Sequence, residues 1–206
     1  MQTMIDAVTA LEHFKRTDMI MVRLLEASLR CAVPLTLPTP KQPREYFGSI
    51  ISSIISQQIS TAAARSIKSR VVEALGNLTP EAVLAIEFNT LKGCGLSEKK
   101  AQYIKHNANV WHEVPYQHFV HMDDETIIKE LIKLYGIGRW TAEMFLMFSL
   151  ARPDVFSFGD WGLMQSLYKN YHLRPHYNRK IATAVESWSP HRTIASLTLW
   201  HTKDNN

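Results

Sequence analysis

Apolar residues recur at helical spacing along almost the whole chain, and no stretch alternates apolar with polar residues as a half-buried strand does. Val8, Leu11 and Phe14, then Ile20, Leu24 and Leu25, and again Ile51, Ile54, Ile55 and Ile59, each mark one face of a 3.6-residue period. Further helices are expected over residues 60–75, 80–88, 97–112, 123–134, 139–150, 160–170, 177–187 and 191–201. The pattern predicts an all-α fold. Four of the nine prolines fall between Pro34 and Pro43 (VPLTLPTPKQP), a run that cannot be helical and reads as an extended connector leading away from the N-terminal helix.

With 206 residues, 46% of them hydrophobic, the chain can bury a core without covalent staples. Its two cysteines, Cys31 and Cys94, form no CxxC pair, which excludes a disulfide scaffold, a four-cysteine zinc site and a cysteine-ligated iron–sulfur cluster within this chain. Met1 to Phe14 lacks the basic-then-apolar pattern of a signal peptide, and the longest apolar block, Met144 to Phe148, is far short of a membrane span. A soluble intracellular protein is expected, in the cytoplasm and nucleoid of a bacterium or the nucleus of a eukaryote. The formal charge of +4 is unevenly spread. Residues 44–112 and 139–206 each carry eight Lys or Arg against five acids, whereas residues 113–138 carry two against five. A basic excess on two stretches suits a polyanion partner, and equally an ordinary solvated surface.

The most specific segment runs from Lys129 to Glu143 (KELIKLYGIGRWTAE). A helix containing Leu131, Ile132 and Leu134 is expected to end at Gly136, with a second starting at Arg139. Two glycines around one apolar residue permit a tight turn, after which the leading amides of the second helix lie unpaired at its positive dipole end. Such a turn can cradle a backbone phosphate; a bare GxG is more often a plain helix connection.

The whole string LxxLYGIGRWTA resembles the hairpin of the helix–hairpin–helix DNA glycosylase superfamily, and four further strings extend the likeness in the same order. These are Ile54-Ile-Ser-Gln-Gln-Ile-Ser-Thr61, Gly95-Leu-Ser-Glu-Lys-Lys-Ala101, Arg152-Pro-Asp-Val-Phe-Ser-Phe-Gly-Asp160 and Trp188-Ser-Pro-His-Arg192. They cover roughly residues 44–202 and are most similar to the alkylbase, 3-methyladenine DNA glycosylase II branch. The resemblance implies a two-lobed helical glycosylase fold with the active site in the interlobe cleft. One lobe would span about 44–150, with the hairpin at 131–143, and the other 1–43 plus 151–206, all within a single unit 1–206. Bacterial members often carry an additional N-terminal β-domain, for which this chain has no room.

Residue by residue, the resemblance makes Asp160 the catalytic carboxylate, although the same position suits an N-cap of the helix that follows. Asp154 is the competing acid, at a place without a catalytic role in the family. Trp140 stands where strand-cutting relatives carry a Schiff-base lysine, so the reaction should be monofunctional. Trp140 and Trp200 would form a base pocket whose electron-rich faces favour cationic purines, Trp200 alternatively being a core aromatic. DNA contacts are expected from Gly136, Ile137, Gly138, Arg139 and Thr141. Gln58 would fill the gap left by a flipped nucleotide, in place of a leucine found in the branch. Gly93 and Gly95, with Lys99 and Lys100, would face the opposite strand or simply connect two helices. Met144 replaces a tyrosine, leaving pocket breadth open. No catalytic cofactor is expected, but main-chain carbonyls of Ile132, Leu134 and Ile137 could hold Na+ or K+. The expected function is excision of 3-methyladenine- and 7-methylguanine-type bases from double-stranded DNA by a monomer without a membrane, leaving an abasic site. Alternatives are a non-catalytic damaged-DNA-binding protein of the same fold, or a glycosylase for oxidised bases.

Overall fold

The computed structural model describes residues 6–174 and 178–204. Among them there is no strand, and twelve α-helices follow in order: α1 Ala7–Thr17, α2 Met19–Arg30, α3 Tyr46–Ser56, α4 Thr61–Leu75, α5 Pro80–Ala85, α6 Phe88–Gly93, α7 Glu98–Val110, α8 Asp124–Leu131, α9 Arg139–Phe148, α10 Trp161–Asn170, α11 Asn178–Ser187 and α12 Arg192–Asp204. Position 177, the expected start of α11, lies outside the described residues. No helix among those described is long and apolar enough to cross a membrane.

Two expected helices come out shorter. The stretch 80–88 divides at Ile86, whose extended backbone separates α5 from α6. The helix expected over 123–134 stops at Leu131, because Tyr135 finds partners elsewhere. Its N–H donates to Asn107 Oδ1 at 2.8 Å, and its carbonyl accepts from Asn107 Nδ2 at 2.9 Å. Asn107 is fully buried, so both halves of its amide are spent on this turn.

The chain forms two compact units, one of residues 1–40 and 146–206, the other of residues 41–145. In the first, Phe14, Met21, Leu25, Leu163, Leu167, Val185, Trp188 and Leu199 belong to one buried cluster. Asp18 joins the N-terminal helices to the C-terminal segment. Its Oδ1 caps α2 through the Ile20 and Met21 amides, while Oδ2 accepts from Tyr171 Oη and Trp188 Nε1, both at 2.7 Å. Burial, then the bond to Asp18, pushes the Tyr171 phenol above its usual range.

The second unit is built on α3, where Ile50, Ile51, Ile54 and Ile55 are all fully buried. Each such side chain contributes about 1.5–3 kcal/mol. Tyr46 packs on Phe119 and Phe145, and Phe47 on Trp111. The proline-rich connector carries no helix until a 3-10 turn at Pro43–Glu45.

Candidate active site

Asp160 is only 9% exposed and begins α10. Its Oδ1 accepts the Leu163 N–H at 2.7 Å and the Trp200 indole N–H at 3.1 Å. The N-cap and the held carboxylate are thus the same atom's work. Trp200 lies on α12, with its ring 6.0 Å from that of Phe148 and nearly parallel to it. Close by, the lack of a side chain at Gly162 leaves room for this cluster. A Cβ there would sit 3.0 Å from Asp160 Oδ1, 3.3 Å from Lys203 Nζ and 3.4 Å from Trp200 Nε1. Trp161, next to the acid, is 73% exposed. The sequence offered no sign of its exposure, nor that Trp200 would bond the acid.

Asp154 is occupied differently. Arg192 meets it with Nε on Oδ1 and Nη2 on Oδ2, both at 2.7 Å, and Ser189 Oγ donates at 2.8 Å. Burial opposes ionisation, but hydrogen bonds from Arg192 and Ser189 outweigh it and hold the carboxyl below its ordinary value. A depressed carboxylate contributes stability above its unfolded pKa and loses it as pH falls through the folded one. Asp154→Asn should therefore lower stability at pH 7 by about 1–3 kcal/mol, the cost of stranding a partly buried partner. In thermal melts, the gap from the wild type should close as the pH drops below the usual carboxylate range; a gap that stays constant would show that the charge plays no part.

The hairpin belongs to the second unit. Gly136 has φ +78°, and a Cβ on it would lie 2.5 Å from the Tyr103 ring. Gly138 is open, with nothing within 4 Å of that point. Ile137 is buried and its amide closes the turn onto the Leu134 carbonyl at 3.2 Å. Ala142 N–H donates to Gly138 O at 3.0 Å, and helix geometry places the start of α9 at its positive dipole end. Ile132, Leu134 and Ile137 line one concavity of about 600 Å³ with Tyr103 and the turn.

Three expectations gain detail here. Thr141 is buried, so its side chain does not reach the surface, and its main chain alone is at the helix start. The exposed Arg139 side chain pairs with Glu125 on α8 and, at 2.9 Å, with Glu143 on its own helix. Those acids, Glu125 first, raise its pKa further. The Gly93–Gly95 turn offers no outward run of amides either. Cys94 N–H donates to Leu91 O, and both Gly95 and Leu96 N–H donate to Lys92 O, closing the end of α6. Gly95, at φ +99°, instead admits Arg70, which binds Cys94 O at 2.7 Å.

Gln58 is exposed between α3 and α4 in a left-handed conformation, φ +57°, that few non-glycine residues adopt. Beside it Gln57 Nε2 donates to Gly136 O at 2.7 Å, so this turn and the hairpin are joined. Lys100 points inward, its Nζ 2.8 Å from Ile55 O and 2.6 Å from Gln57 O, and burial lowers its pKa. Lys99 lies over the Tyr103 ring at 5.6 Å. Trp140 is 46% exposed at the start of α9. The structure therefore groups Asp160 with Trp200 in one unit, and the Gln58 turn with the hairpin in the other.

Comparison with known proteins supplies the context. Residues 51–191 match the HhH-GPD superfamily of base excision DNA repair proteins. DNA-3-methyladenine glycosylase 1 of Schizosaccharomyces pombe is 31% identical over 169 residues, spanning 78% of this chain and 74% of the relative. The crystal structure of a DNA-3-methyladenine glycosidase from Bacillus halodurans superposes with a TM-score of 0.80 at 31% identity, over 96% of this chain and 88% of the other. The S. pombe 3-methyladenine DNA glycosylase Mag1, in complex with abasic DNA, gives 0.76 at 27% identity, over 95% and 97%.

Proposed function

Because the chain belongs to the HhH-GPD superfamily of base excision DNA repair proteins, we propose that it is a monofunctional DNA glycosylase that removes alkylated purines and leaves an abasic site. The observation that carries this reading is the Asp160 carboxylate, largely enclosed and fixed at one oxygen by two N–H donors. Breaking an N-glycosidic bond develops positive charge on the sugar. A carboxylate that need not reorganise stabilises that charge and orients the attacking water. The relatives' names, DNA-3-methyladenine glycosylase in yeast and glycosidase in Bacillus, support the alkylated-base class.

In this reading the exposed Trp140 offers a stacking face to a cationic base. Trp200 has two tasks, walling the pocket and bonding Asp160. The partner is double-stranded DNA with alkylated bases, bound by a monomer, with α9's leading amides and Gly138 against a backbone phosphate and Gln58 in the gap of the displaced nucleotide. Ile132, Leu134 and Ile137 line one concavity, and their main-chain carbonyls would offer a monovalent cation the oxygen ligands that hard cations take. Bound there, such an ion would supply positive charge toward the phosphate.

Incubation with alkylated duplex DNA should release methylated purines, identified by chromatography, and leave intact strands that break only after alkali. Borohydride should trap no stoichiometric protein–DNA adduct, since Trp140 cannot form a Schiff base. Stoichiometric trapping would refute the monofunctional reading, and release of no base would refute the enzyme.

A further inference from the structure

Helix α7 holds two separate turns at once. Lys100 in its first turn grips the end of α3, through the carbonyl of Ile55 within the helix and that of Gln57 just after it. One and two turns further on, Tyr103 packs against Gly136, and Asn107 pins Tyr135 by both main-chain atoms. Gln57 bridges the two turns: its main-chain carbonyl accepts from Lys100 and its side chain donates to Gly136 O. The residue anchored from both sides immediately precedes Gln58, whose left-handed backbone persists only where its surroundings over-determine it. An ammonium at the negative end of α3 also opposes that helix's dipole, a stabilisation that weakens if the group leaves.

We propose that Lys100 is a positioning residue for base displacement: it clamps the end of α3 to α7, and so holds the turn that presents Gln58 in fixed register with the hairpin. The proposal rests on the glycosylase reading above. A side chain that fills the gap of an extruded base must stand at a set distance from the phosphate that the hairpin holds. With Lys100, Gln57, Tyr103 and Asn107 in place, the fold sets that distance before DNA arrives, and none of the four needs to touch DNA.

The test uses the full chain and a duplex with one N7-methylguanine beside 2-aminopurine, whose fluorescence rises on unstacking. Lys100→Met keeps the aliphatic stem and removes the cation. Its single-turnover excision of the paired lesion should fall about tenfold, and by about threefold or less when the lesion lies opposite an abasic analogue, where extrusion costs less. The fluorescence rise should shrink in parallel, and Lys100→Arg should restore most of both. Gln57→Met, which cuts only the bridge to Gly136, should give the same pattern more weakly and carries the test should Lys100→Met not fold. Equal losses on paired and unpaired lesions, or wild-type rates in both Met variants, would overturn the proposal. Fluorescence is read separately from excision. A wild-type protein that unstacks the neighbour but releases no base refutes the glycosylase reading, and leaves the clamp to be judged on fluorescence by the same comparison.

Discussion

Asp160→Asn is expected to excise bases on the order of 10²–10³ more slowly than the wild type while folding and binding DNA as before. Asparagine keeps an Oδ1 for the Leu163 amide and the Trp200 indole, and it is as good an N-cap as aspartate, so α10 should be undisturbed. Only the charge is lost. The deficit should be greatest on neutral lesions, because a cationic leaving base already has a weakened bond to the sugar. Single-turnover rates with thermal melting as the folding control decide the matter. The contrast is Asp154→Asn, whose carboxylate is engaged by Arg192 and Ser189, and which should lose stability rather than chemistry. If the two variants exchange these phenotypes, the wrong acid has been assigned.

The two hairpin glycines should fail in different ways. Gly136→Ala forces a side chain into a left-handed backbone, costing about 1–2 kcal/mol, and drives a methyl onto the Tyr103 ring. Overpacking adds about 1–3 kcal/mol, so the melting temperature should drop by about 4–20 °C and DNA binding should go with it. A Cβ at Gly138 meets no atom within 4 Å, so Gly138→Leu should melt as the wild type does. Its side chain instead screens the leading amides of α9. Affinity should fall about tenfold alike for every sequence, and the slope of affinity against salt should drop by about one as a phosphate contact is lost. Equal melting losses in both variants would disprove the division of labour; a loss confined to particular base sequences in Gly138→Leu would refute a phosphate role.

Helices were legible because burial imposes a period on the chain, and α3, with its four isoleucines on one face, is the plainest case. The turns that carry the candidate chemistry were legible by residue type: Gly136 and Gly138 announced the hairpin, and Asp160 could be read both as a cap and as an acid. The partners of those residues could not be read. Asn107 lies 28 residues from Tyr135, Lys100 lies 43 from Gln57, and Trp200 lies 40 from Asp160. Nothing local marks such pairs, since a lysine destined for two main-chain carbonyls looks in sequence like any surface cation. For that reason the sequence left open whether Gly93, Gly95 and Lys100 face the opposite strand or merely connect two helices, and it showed neither acid that pairs with Arg139.

By itself, then, the sequence determined the helices, the glycine turns and the chemical types available at each, because these depend on neighbours within a few residues. The tertiary structure decided which polar groups are already satisfied inside the protein and which remain for a partner. Satisfying a buried donor or acceptor needs a group brought from a distant part of the chain, and only folding brings it there.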